Sequence, residues 1–234
     1  MTMQIGVAKI RITLTEECLG TSSNNPDIHS EFIASKAPDA PSRAEEIASI
    51  GTEKAMEKAI TIFPTFENGE PLIWDYQFRG FIKEATSMLA RIEGSEASRL
   101  QAHRKICDGL IFVHPRKIAL LSPNEKSVKD QMGLCTRPLR GQTAQGERIS
   151  LATSETVPAG TFFDIAIEIP KLKAKKDDAT GKKEPVVDLE KLIYEVLDYG
   201  SRRGLLQWRN SGKGTFSWKL IEEEAKSEKA SKKK

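Results

Sequence analysis

The sequence predicts an α+β fold built on one small core. Three observations carry this: Met3–Thr15 alternates as a half-buried strand does, two later stretches gather apolar residues on one helical face, and short strand-like runs separate and follow those stretches. Within Met3–Thr15, Ala8, Ile10, Ile12 and Leu14 fall on one side and Lys9, Arg11 and Thr13 on the other. From Glu16 to Ala59 the sequence turns polar and irregular, with a helix expected only over Ser42–Lys58. So long a stretch inside a compact domain reads as a functional insertion or as disorder.

Ile60–Phe66 and Leu72–Tyr76 flank Glu67-Asn-Gly-Glu70, the strongest short-range hairpin signal. Phe78, Phe81, Ile82, Ala85, Leu89 and Ile92 predict a helix ended by Gly94, and Ser95 caps a second that reaches Cys107. Leu110–His114 and Ile118–Leu121 read as a pair of short strands, residues 122–146 as a polar, basic connection, and Arg148–Ala152 with Phe162–Ile169 as a hairpin around Pro158-Ala-Gly160. Lys171–Glu184 is a charged, mobile surface loop on this reading. Asp188 caps a helix with Leu189, Leu192, Ile193, Val196 and Leu197 on one face, closed by Gly200, and Thr215–Ile221 is the last strand.

Stripped of insertions, the order is strand, helix, strand, strand, helix, strand, the βαββαβ order of ferredoxin-like, RRM-like domains. Residues 1–222 then form a single domain with long insertions after strand one (16–59) and between the later strands, and a loop at 171–186. Residues 223–234 are expected to be a disordered basic tail.

A chain of 234 residues that is 38% hydrophobic and 29% charged can bury such a core, which excludes disorder along the whole length. Apolar runs such as Gly109–Val113 are too short to span a membrane and no signal-peptide core opens the chain, so a cytoplasmic, soluble protein is expected. The three cysteines are widely spaced and only three histidines accompany them, so neither a disulfide scaffold nor a metal site is predicted, and no cofactor is expected. The formal net charge of +3 hides an asymmetry: residues 1–100 carry −5 and the remainder +8.

Part of that positive charge sits between the last helix and the last strand. Gly200-Ser-Arg-Arg-Gly-Leu-Leu-Gln-Trp-Arg-Asn-Ser-Gly-Lys-Gly214 holds four basic residues and no acidic one. Glycines let backbone N–H groups approach phosphates, arginine supplies paired donors, and Trp208 offers either a ring for a base to stack on or a plug for the core beneath. The segment fits neither a dinucleotide-binding fingerprint nor a P-loop, because a helix precedes it and a strand follows. A second basic segment, Arg137–Arg148, interleaves arginines with Gln142, Thr143 and Gln145, a mixture suited to phosphates, sugar hydroxyls and base edges, or to a solvated loop paired with the acidic first half.

Placed at that junction, the glycine-rich loop resembles that of the RAMP superfamily, the RNA-binding subunits and processing ribonucleases of CRISPR systems. Thr13-Leu-Thr-Glu-Glu-Cys-Leu-Gly-Thr21 is similar to the opening of those proteins, and Tyr76-Gln-Phe-Arg-Gly-Phe-Ile-Lys-Glu-Ala85 to their first-helix motif. Gln77-Phe78 and the Gln207–Ser211 core of the loop depart from the usual pattern. The resemblance implies an RNA-binding backbone subunit with 16–59 as a protruding thumb, in a bacterial cell or a phage-infected host. A bacteriophage-encoded relative acting against or within a CRISPR-like system fits the same pattern. It also implies head-to-tail self-association or assembly with other RAMP-like subunits, which gives open filaments.

The expected function is therefore single-stranded nucleic-acid binding, RNA favoured over DNA, through Arg202, Arg203, Gly204, Trp208, Arg209, Gly212, Lys213 and Gly214, extended by Arg137, Arg140 and Arg148. One alternative is a metal-independent endoribonuclease, for which His29 beside Asp27 is the candidate base; His103 and His114 read as structural, and a non-enzyme is favoured. The other is a structural or inhibitory protein-interaction subunit.

Overall fold

The computed structural model describes residues 5–23, 60–143, 146–173 and 186–221, with the side chains of 139–151 outside that description. The expected helix at Ser42–Lys58, most of the 16–59 insertion, nearly all of the 171–186 loop and the 223–234 tail lie outside the described residues. Strand β1 (Ile5–Leu14) has the predicted alternation, with Ala8, Ile10, Ile12 and Leu14 buried. Two short strands follow, β2 (Cys18–Leu19) and β3 (Ser22–Ser23), and the described chain resumes at β4 (Ile60–Ile62). The Asn68–Gly69 turn forms, Phe66 N–H donating to the Glu70 carbonyl at 2.9 Å. Its flanks nevertheless part into different sheets, because β5 (Leu72–Trp74) is buried at every residue and takes its own partner further along the chain.

Helix α1 (Asp75–Leu89) buries Phe78, Phe81, Ile82, Ala85 and Leu89, but stops before Ile92, which is exposed. Ser95 explains the stop: its hydroxyl donates to the carbonyls of Leu89 and Ile92 and accepts from Ser98 N–H, so one side chain closes α1 and caps the next helix. The single helix expected from Ser95 to Cys107 is two, α2 (Glu96–Arg99) and α3 (His103–Leu110), broken where Ala102 is left-handed.

The expected pair of strands before residue 122 exists as β6 (Phe112–His114) and β7 (Lys117–Ala119), yet they join different sheets, β7 pairing with β5. Within the stretch expected as a connection runs an eleven-residue strand, β8 (Gly133–Thr143), in a long antiparallel hairpin with β9 (Gly146–Val157). The hairpin expected between β9 and β10 (Phe162–Pro170) does not form. β10 crosses to the first sheet instead, where Phe163, Ile165, Ile167 and Ile169 meet the apolar face of β1.

Helix α4 (Leu189–Arg203) is capped as predicted, the Asp188 carboxylate accepting from the N–H groups of Glu190 and Lys191. Gly200 does not close it. It lies inside the helix where a Cβ would meet the rings of Phe81 and Phe216 at 2.4 and 2.6 Å, and the helix runs on to Gly204. Strand β11 (Phe216–Leu220) completes a mixed α+β fold.

The central sheet has the order β11-β1-β10-β6, with every neighbour antiparallel. Helices α1 and α4 cover one face: Phe78 meets Phe163 edge-on and Phe81 meets Phe216 likewise, while Leu192, Ile193, Val196 and Leu197 fill the rest of that layer. Lys9, Arg11 and Thr13 look out from the other face, beside Lys219 and Ser217. A second sheet of order β2-β9-β4-β3, with β8 added to β9, stands beside the first.

Candidate nucleic-acid interface

The loop after α4 closes on itself. Gly204, with a positive φ of 82° and an extended ψ, donates its N–H to the Gly200 carbonyl at 2.7 Å, and a side chain there would collide with the Lys213 carbonyl. Leu205 N–H reaches the Gly214 carbonyl at 2.8 Å, Gly212 N–H the Arg209 carbonyl, and Gly214 N–H the Glu17 carbonyl across from the end of β1. The three glycine N–H groups expected to face phosphates are thus donated inside the protein, and these glycines set the shape of the loop.

Its charges are also met from within. Arg209 Nη2 donates to Glu84 Oε2 on α1 at 2.8 Å, with Arg203 at 3.9 Å from the same carboxylate, and Lys213 Nζ lies 2.6 Å from Glu17 Oε1. The hydrogen bond to Glu17 raises the Lys213 pKa above the usual lysine value, against a smaller opposing effect of burial. The segment carries no acid of its own, and the acids that neutralise it come from distant parts of the chain. Arg202 is exposed.

The two basic segments meet at one point. Arg137 on β8 lays its guanidinium over the Trp208 ring, 3.9 Å from the centroid, and its Nη2 donates to Gln207 Oε1 at 2.9 Å. Trp208 therefore offers neither a bare ring nor a core plug, since one face carries the guanidinium and the residue is half-buried. Gln207 is fixed in turn: its Nε2 donates to the Gly20 carbonyl at 2.9 Å and to Thr61 Oγ1 at 3.3 Å. Both neighbours of Gln207, Leu206 and Trp208, have left-handed backbones, a strain the packing around them must hold. Arg137 is 6% exposed, its Nε and Nη1 have no hydrogen-bond partner among the described residues, and desolvation lowers its pKa below the usual arginine value. Beyond it the hairpin carries Arg140 and Arg148 in adjacent register, Arg148 opposite Gly141 and Arg140 opposite Ile149.

No family model matches this chain, and no curated protein matches it.

His29 lies outside the described residues. His103 accepts or donates a hydrogen bond with Ser87 Oγ at 3.0 Å, and His114 lies 3.2 Å from Glu168. Among the described residues no group of histidines, cysteines and carboxylates is arranged to hold a metal, and no helix is long and apolar enough to cross a membrane. Arg11 on the open sheet face is held by a two-pronged hydrogen bond to Asp164 at 2.8 Å, which raises its pKa, and it stacks over Phe162. Glu84, Glu17 and Gln207 are the site residues that the sequence left unmarked. The one local signal was the Gln207-Trp208-Arg209 core, a polar–aromatic–basic triplet with no turn chemistry to explain it.

Proposed function

We propose that the protein binds single-stranded nucleic acid, RNA in preference to DNA, as a RAMP-like subunit on a ferredoxin-like βαββαβ core. The sheet order β11-β1-β10-β6, with α1 and α4 on one face, supports that reading of the core. The observation that carries the function is the contact of Arg137 with Trp208 and Gln207. It joins the hairpin bearing Arg140 and Arg148 to the loop bearing Arg202, and makes one basic track from segments 70 residues apart in the chain. Phosphate contacts along it come from Arg137, Arg140, Arg148 and Arg202. Four displaced counterions give a slope of about −3 in log K against log salt for a single strand. Fluorescence anisotropy with labelled RNA and DNA oligomers across a salt series measures it, and a slope near zero removes the track from the site.

A second reading, a structural subunit that binds protein, draws support from the internal pairing of Arg203, Arg209 and Lys213 and from the exposed Ile5, Val7 and Phe112 on the open sheet. Protein that purifies free of nucleic acid and is silent in the anisotropy assay, yet self-associates in sedimentation, decides for it.

A further inference from the structure

Arg137 differs from the ion-paired cations around it. Arg203 and Arg209 share Glu84, Lys213 has Glu17, and Arg11 has Asp164, whereas no carboxylate among the described residues pairs with Arg137. A buried guanidinium without an anion is costly, and the molecule spends unusual structure on keeping it there: an indole beneath it, an amide against Nη2, and left-handed residues on both sides of that amide. The amide oxygen of Gln207 is a neutral acceptor in the position a charged oxygen would occupy. Exchanging it for a phosphate oxygen replaces a neutral hydrogen bond with a charge-assisted one and brings an anion within reach of the unpartnered nitrogens.

We propose that Arg137 is an oxyanion site for one phosphodiester of the bound single strand, and that Gln207 holds the place of that phosphate until the strand arrives. This rests on the nucleic-acid reading above and names the contact that anchors it. Arg202, Arg140 and Arg148 then supply the long-range, salt-sensitive attraction, while Arg137 supplies a contact that persists at higher salt because it is desolvated.

The test is Gln207→Glu, which builds a carboxylate into the site. The full chain is compared with wild type in thermal melting and in anisotropy with a labelled oligouridylate. The expected result is binding weaker by about tenfold or more, the size of one hydrogen bond to a charged group, in a protein that still melts cooperatively. Gln207→Ala loses the same Nε2 hydrogen bonds to Gly20 and Thr61 without adding a charge, and it is the comparison: Gln207→Glu is expected to bind at least about tenfold more weakly than Gln207→Ala. Wild-type-like binding by Gln207→Glu overturns the proposal whatever its melting temperature. Equal binding by Gln207→Glu and Gln207→Ala overturns it too, because the loss then comes from the missing Nε2 hydrogen bonds and not from the added charge. A wild-type protein silent towards the oligouridylate overturns the nucleic-acid reading itself. If that silent protein is stabilised by polyglutamate, the site belongs to an acidic protein segment.

Discussion

Glu84 is the residue through which the loop is held on α1. Its carboxylate faces Arg209 at 2.8 Å and Arg203 at 3.9 Å, with all three side chains partly exposed, so the pair contributes below about 1 kcal/mol to stability. Its larger effect is on what the loop can offer a ligand, since a phosphate must displace it to reach either arginine. Replacing Glu84 with Gln is expected to leave the melting temperature within a few degrees, to tighten oligonucleotide binding severalfold, and to steepen the salt slope by about 1.4, as two more cations join the proposed track at about 0.7 each. A salt titration of the variant checks this, and an unchanged slope would place Arg203 and Arg209 outside the contact. Nothing in the order of residues announced these pairs. Glu84 and Arg209 are 125 residues apart, and a charge matched over such a distance leaves no local pattern.

At the scale of elements, what could be read was what is determined locally. The α4 cap at Asp188 and the apolar faces of β1, α1 and α4 follow from spacing and short-range chemistry, and they stand where the spacing put them. β8 was not legible: Pro138 and Gly141 interrupt it and Arg137 and Arg140 stand three apart, so it has no strand period, and its strand character comes from pairing with β9 along its whole length. The switch of β10 to the first sheet was set in the same way, by pairing with β1, while the break between α2 and α3 falls at the left-handed Ala102. Gly200 was misread as a helix terminator because glycine is common there, whereas its role is to let α4 approach α1 and β11. Substituting it with Ala is expected to cost about 1–3 kcal/mol, since the new methyl meets two aromatic rings that are themselves wedged in the core. Urea unfolding measures the loss, and a cost below about 0.5 kcal/mol would mean that the helices can separate freely.

Over the whole molecule, titration and thiol chemistry report the integrity of the core. Cys18 and Cys107 are buried and Cys135 is partly exposed, so a thiol reagent is expected to label Cys135 alone until the protein unfolds. Burial pushes the Cys18 thiol up to about 12, and burial together with the hydrogen bond to Glu190 pushes the Tyr194 phenol up to about 12. Both groups hold their protons more tightly when folded. The stability this represents is therefore complete below the unfolded values of about 9 for the thiol and 10 for the phenol, and is lost as pH rises from there towards 12. Denaturant midpoints are expected to be flat through neutral pH on account of these groups and to fall above pH about 9, with a shallower fall in Cys18→Ala.

The central sheet also constrains the timing of assembly. Strand β1 lies between β10 and β11, so Ile12 has Phe163 on one side and Trp218 on the other, and among the described residues no strand before β10 pairs with β1. During synthesis the apolar face of β1 therefore waits while the β8–β9 hairpin, whose contacts are local, is already able to form. Strand β1 is made long before its partners and is among the last to be enclosed, and in that interval Ile10, Ile12 and Leu14 are the stretch a chaperone, or a second unfinished chain, would find.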